Sequence, residues 1–102
     1  MFKHLLSPFQ IGRLALPNRL VVAPMGVEIA EADGQVREPV VAYYAERARG
    51  GAGLVIIEVA LAHESAVYTS HTIAAYNDAC IPGYQRIADG VHQHGCKAFG
   101  QL

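Results

Sequence analysis

Few residues in this sequence could do chemistry, and spacing removes most of them. His92 and His94 stand two apart in a helical stretch, so they point to different sides and cannot share a metal. Cys80 and Cys96 form no Cys-x-x-Cys pair, and no histidine lies at zinc-site spacing from them. His63-Glu64 and His71 fall in a polar stretch and read as loop surface. Glu58 ends the apolar run Leu54-Val-Ile-Ile and needs a partner if it is buried ionised. It is expected to make a structural hydrogen bond or ion pair, with Arg19 and Arg47 as candidate partners. Of the tyrosines, Tyr43, Tyr44 and Tyr84 fall in helical stretches and Tyr68 and Tyr76 in loops. No residue of the chain is assigned a catalytic or metal-binding role.

One stretch is left. Leu20-Val-Val-Ala-Pro-Met-Gly26 is a four-residue apolar run that stops at proline, methionine and glycine. Proline cannot continue a strand's hydrogen-bond ladder, and glycine lets the backbone approach a flat ligand closely. A ligand floor and a plain strand-ending turn both fit those residues.

The elements that must position this stretch follow from periodicity. Residues 8–18 alternate apolar and polar around Gly12-Arg13, which predicts a short hairpin. Residues 19–23, apolar from Leu20 on, and the run from Leu54 to about Val59, apolar up to Glu58, predict strands buried on both faces. Between them, 24–38 carries Pro24, Gly26, Asp33-Gly34 and ends at Pro39, reading as a long loop. Residues 39–49 follow as a helix with Pro39 in its first turn and Val40, Val41, Tyr44, Ala45 and Ala48 on one face. Residues 60–77 form a second polar loop. A second helix is predicted over 81–94, with Asp78 as a cap, Pro82 in the first turn and Tyr84, Ile87, Ala88 and Val91 as its buried stripe. Lys97–Leu102 begins a third apolar strand. Alternating strands and helices imply a parallel sheet with right-handed crossovers, either doubly wound or a (β/α)8 barrel. The first strand lacks a Gly-x-Gly-x-x-Gly turn, which weakens the dinucleotide-fold option.

Composition narrows the function classes. The chain of 102 residues is 52% hydrophobic and 17% charged, more apolar than a small domain with a large exposed surface needs. Some apolar faces therefore expect covering from elsewhere. A net charge of −1 gives no footprint for nucleic acid. No apolar stretch reaches the roughly 18 residues of a membrane helix. The first residues lack the apolar core and cleavage site of a secretory signal, and two unpaired cysteines suit a cytoplasmic protein.

The order of short motifs carries a resemblance. Ser7-Pro8-Phe9, Ile11-Gly12 and Leu16-Pro17-Asn18-Arg19 lead into Val21-Val22-Ala23-Pro24-Met25-Gly26. Tyr43-Tyr44-Ala45-Glu46-Arg47-Ala48-Arg49-Gly50-Gly51 and Gly53-Leu54-Val55-Ile56-Ile57-Glu58 follow, then Ile81-Pro82-Gly83-Tyr84 and Gly100-Gln101-Leu102. Over essentially the whole chain this resembles the N-terminal part of the Old Yellow Enzyme family, FMN-dependent NAD(P)H:flavin oxidoreductases and ene-reductases.

The resemblance implies a (β/α)8 TIM barrel with FMN at its C-terminal mouth. Such a barrel needs roughly 250 residues. Residues 1–102 would then be its N-terminal portion: the hairpin at the barrel bottom, two βα units and the start of a third strand. The resemblance also implies the cofactor-binding residues. Ala23, Pro24, Met25 and Gly26 would lie against the flavin ring, Val59 would meet it through its backbone, and Gln101 would reach its pyrimidine edge. A carboxamide offers that edge both a donor and an acceptor. Many members carry threonine or cysteine where Gly26 stands, a side chain that tunes the flavin. Met-Gly is instead similar to a branch of larger enoate-reductase-like enzymes that append an iron–sulfur cluster and a nucleotide-binding FAD domain. Val27 stands where that branch would have threonine.

The family's substrate-anchoring histidines, proton-donating tyrosine and phosphate-binding loops come after the third strand. The implied activity is hydride transfer from NAD(P)H through the flavin to an activated alkene or similar small-molecule acceptor, in a protein that can form homo-oligomers, without nucleic-acid or membrane partners. Two other readings stand beside it. One is a truncated, inactive piece that self-associates through its open edges. The other is a small flavodoxin-like module, which the leading hairpin and the missing phosphate loop argue against.

Overall fold

A computed structural model of the chain describes residues 1–66 and 68–102. The leading hairpin forms as the alternation predicts. β1 (Phe9–Ile11) pairs antiparallel with β2 (Leu14–Leu16), and Gly12 at the turn takes φ +56°. Then β3 (Val21–Val22), α1 (Glu38–Arg49), β4 (Leu54–Val59), α2 (Ile81–His92) and β5 (Lys97–Gln101) alternate along the chain. The three later strands form a parallel sheet in the order β3-β4-β5. This is the topology of successive βα units, with α1 and α2 covering one face.

The helices start and stop for local reasons, with small departures from expectation. α1 begins at Glu38 with Pro39 in its first turn, and Gly51, at φ +104°, leaves it. Ahead of α2, the side chain of Asn77, not Asp78, accepts from the Ala79 amide and opens a 3-10 turn over Asp78–Cys80. Asp78 lies inside that turn, so the cap is one residue earlier than predicted. The helix ends at His92, and Gly95 makes the turn at φ +75°.

Val40, Tyr44 and Ala48 from α1 and Ile87 and Val91 from α2 pack on Val55 and Ile57 of β4, with Cys96 beneath. This is the stripe the 3.6-residue spacing marks on each helix. At the N-terminal end of the sheet, Asn18 ties the hairpin exit to the turn after α1. Its amide donates to the Gly51 carbonyl at 2.8 Å, and its oxygen accepts from the Leu20 amide at 3.0 Å.

The strand at 19–23 is a correction. Only Val21 and Val22 are paired, and Val21 remains 49% exposed instead of buried on both faces. β3 is an edge strand with a neighbour on one side only, and the helices cover only one face of the sheet. The open surface extends to Phe9, Ile11, Met25 and Phe99. Part of the apolar excess in the composition is exposed here, and part elsewhere, at Phe2, Leu6 and Ile81. Among the described residues, no helix is long and apolar enough to cross a membrane.

Two glycines of α2 separate close packing from ordinary contact. A Cβ on Gly83 would stand 2.6 Å from the Val36 Cβ, whereas one on Gly90 would meet Ala45 and Val41 at 3.5 and 3.6 Å. Alanine in a helix interior is worth roughly 0.5–1 kcal/mol over glycine. Gly90→Ala is therefore expected to raise the denaturant midpoint. Gly83→Ala is expected to lower it, because overpacking costs about 1–3 kcal/mol. Equal shifts of one sign in the two unfolding curves would contradict this packing.

Candidate cofactor site at the strand ends

The chemistry-bearing stretch sits at the C-terminal end of the parallel sheet. Ala23, Pro24, Met25 and Gly26 leave β3 at that end, and Met25 is 59% exposed. Among the described residues, none accepts from the amides of Met25 and Gly26. A Cβ on Gly26 would meet only the Tyr68 ring, at 3.9 Å. The strand end thus presents an exposed stretch of backbone with two amides available to a ligand.

Val59 and Gln101 meet at the same end, for a reason that strict alternation hides. Along β4, Val55 and Ile57 belong to the core under the helices, so Glu58 should face away from them. The ladder with β5 shifts register between Ile57 and Val59, leaving Ile57 opposite Gly100 and Val59 opposite Gln101. This bulge lets two consecutive residues, Ile57 and Glu58, both engage the helix layer. Past it, Ala60 donates to the Gln101 carbonyl at 2.9 Å. Gln101 itself is exposed and Val59 half-buried.

The bulge places Glu58, only 2% exposed, inside a closed hydrogen-bond set. The Tyr44 hydroxyl donates to one carboxylate oxygen at 3.0 Å and accepts from the Glu58 amide at 2.9 Å. The other carboxylate oxygen accepts from the Val27 amide at 3.1 Å. One side chain therefore joins β4, α1 and the segment that follows β3. Burial holds the Tyr44 hydroxyl well above its ordinary value of 10.0, the neighbouring Glu58 contributing in both directions.

Neither arginine candidate reaches Glu58. Arg19 bonds Ser7 Oγ and stacks over Phe9, while Arg47 bonds the Tyr43 carbonyl and lies over its ring. Both lie on exposed surface, where a guanidinium keeps its water. The partner was Tyr44, whose place on the buried face of α1 was the available signal.

The other reactive residues are structural. His71 Nδ1 lies 2.9 Å from the Ala30 carbonyl, joining the loops after β3 and β4. The Ala74 amide donates to the Gly34 carbonyl at 2.9 Å and strengthens that join. His63 bonds Ser65 in its own turn, and His92 and His94 are exposed. Cys80 and Cys96 are buried free thiols, and burial pushes the Cys96 thiol up. The hydroxyl of Tyr84 is buried without a partner among the described residues, and burial raises it too. Among the described residues, no cluster of histidine, cysteine and carboxylates could hold a metal.

Replacing Tyr44 by phenylalanine leaves Glu58 short of a donor and its amide short of an acceptor. A loss of about 1–3 kcal/mol is expected in chemical unfolding. The alkaline arm changes as well. The folded state keeps the Tyr44 proton where the unfolded chain loses it, so this stabilisation is complete below about pH 10 and fades as the pH rises above that. Tyr44→Phe is expected to flatten the alkaline fall in stability. An unchanged slope would contradict a buried neutral Tyr44.

The geometry agrees with what the chain is similar to. Residues 4–102 match the NADH:flavin oxidoreductase / NADH oxidase family. The chain is 35% identical over 102 residues to an NADH oxidase of Thermoanaerobacter brockii, covering 99% of this chain and 16% of that protein. It is 35% identical over 99 residues to an NADPH dehydrogenase of Listeria monocytogenes, covering 96% of this chain and 29% of that one. Among solved structures, the old yellow enzyme from Trypanosoma cruzi superposes with a TM-score of 0.86 at 36% identity, over 99% of this chain and 27% of that one. A 2-naphthoyl-CoA reductase superposes at 0.96 with 25% identity, over 100% and 16%. The chain thus spans between 16% and 29% of the length of these curated relatives. With the hairpin, the parallel β3-β4-β5 sheet and its helices in place, it has the fold of the N-terminal portion of a (β/α)8 barrel and belongs to the NADH:flavin oxidoreductase / NADH oxidase family.

Proposed function

We propose that residues 1–102 form the N-terminal part of an FMN-binding barrel domain, and that Ala23, Pro24, Met25, Gly26, Val59 and Gln101 hold the flavin. The observation that carries this reading is the convergence of all six at one end of the parallel sheet, with the Met25 and Gly26 amides available beside an open backbone surface. Two amides suit the acceptor atoms of a flavin ring, and the Gln101 carboxamide offers a donor and an acceptor to its edge. FMN, when bound, supplies the hydride chemistry, with NAD(P)H as reductant and an activated alkene or similar small molecule as acceptor. The chain's own part is to bind and orient the ring.

The same reading places the catalytic histidine and tyrosine and the phosphate-binding loops outside these residues. An iron–sulfur cluster and an FAD domain beyond the barrel belong to this reading as an expectation only; the length of the relatives of which this chain spans 16% leaves room for further domains without naming them. Two buried, unpaired thiols support a cytoplasmic location. A second reading has its own observation. β3 and β5 are open sheet edges, and Phe9, Ile11, Val21 and Phe99 are exposed large apolar residues, so the 102-residue chain alone is expected to self-associate and to be inactive.

Two binding measurements test the proposal. In the intact protein, Gln101→Leu is expected to weaken FMN about tenfold, the worth of roughly one hydrogen bond. Unchanged affinity removes Gln101 from the site. FMN titrated into the 102-residue chain is expected to give no stable yellow complex, and a tight one would show that the phosphate site lies within these residues.

A further inference from the structure

Glu58 is an expensive residue in its position. A buried carboxylate loses its hydration, and an apolar side chain of similar size is often at least as stable. Its cost is matched here by geometry. One oxygen takes the Tyr44 hydroxyl, and the other takes the Val27 amide 31 positions earlier in the chain. The β4 bulge exists at this residue and turns it toward α1. Tyr44 is itself fixed from two sides, by Glu58 and by an edge-on contact with Tyr43 at 5.0 Å. The anchor is therefore rigid.

What the anchor holds is strained. Glu28, directly after Val27, has φ +55°, and among the described residues it is the only non-glycine with positive φ. A side chain in that region is disfavoured and persists only where neighbouring contacts over-determine it. The Val27 amide is the last hydrogen-bonded group before the strained residue and the first after the two available amides of Met25 and Gly26. An apolar residue at position 58 would fill the space and leave the direction of this segment unset.

We infer that Glu58 is a positioning residue for the cofactor: by pinning the Val27 amide from a rigid Tyr44 anchor, it aims the Met25 and Gly26 amides at the flavin ring. The inference rests on the reading of 23–26 as the flavin floor. Glu58 touches neither flavin nor substrate. It acts through the backbone of the segment it holds.

The test uses the intact protein, its Glu58→Met and Glu58→Gln variants, and peptide-resolved hydrogen exchange over residues 24–29 with and without FMN. Methionine fills the space and offers no acceptor. Glutamine keeps the acceptor for Val27, the contact under test, and turns its NH2 to the Tyr44 oxygen, whose proton then swings away and loses its acceptor. Glu58→Met is expected to exchange at least tenfold faster in 24–29, with the α2 peptide around Val91 as protected as before, and to bind FMN at least tenfold more weakly with visible bands moved toward free flavin. Glu58→Gln is expected to restore most of the protection, the affinity and the band positions. Equal exchange in all three proteins overturns the pin. Faster exchange in Glu58→Met with unchanged FMN affinity and spectrum overturns the positioning role. If the unaltered protein takes up no FMN, the floor reading fails and the positioning role falls with it; the exchange difference at 24–29 would still be seen, so the two failures are told apart.

Discussion

The Glu58 carboxylate is the constraint on which the rest of this end of the molecule depends. Three segments distant in sequence end beside it: the loop after β3 at Val27, the helix α1 at Tyr44, and β4 itself. No other side chain among the described residues joins these three. An ionisable group with two well-placed donors in a buried site gives a single geometry, because any shift leaves a polar atom unsatisfied. Apolar packing of Val40, Ile87 and Val91 on the sheet brings the layers together without setting such direction.

From that constraint the candidate site follows. The bulge that turns Glu58 inward also sets Val59 opposite Gln101, so one irregularity in β4 places residues on two strands. The opposite end of the sheet is closed by different means. There Asn18 ties the hairpin exit to the turn after α1. Asn18 thus closes the strand N-terminal ends, while the exposed backbone of 23–26 lies at the C-terminal ends, where (β/α)8 barrels carry their sites. The loops after β3 and β4 are held to each other by His71 and Ala74, so the mouth is braced before any ligand is considered.

Much of this was legible in the sequence. The helix stripes were, because Val40, Tyr44, Ala48, Ile87 and Val91 recur at helical spacing and the core uses that spacing. So was the hairpin, where Gly12 takes the positive φ its turn requires. The order of motifs marked the family. Other features were not legible, for identifiable reasons. For Glu58 a structural hydrogen bond or ion pair was expected, and the hydrogen bond is what forms, but the partners named were arginines because opposite charge is the obvious partner for a carboxylate. A phenol and an amide 31 residues away serve instead, and a bulge that breaks period-two alternation brings them within reach. The exposure of Val21 was hidden because burial on both faces belongs to a whole sheet, and residues 19–23 carry no mark that β3 lies at an edge here.

The most direct test is a crystal structure of the intact protein with FMN bound. The expected result is a flavin ring lying on Ala23–Gly26, hydrogen-bonded by the Met25 and Gly26 amides and met at its edge by Gln101, with Glu58 still joined to Tyr44 and to the Val27 amide. A flavin bound elsewhere, or a Glu58 turned out of its buried set toward the ring, would contradict the account.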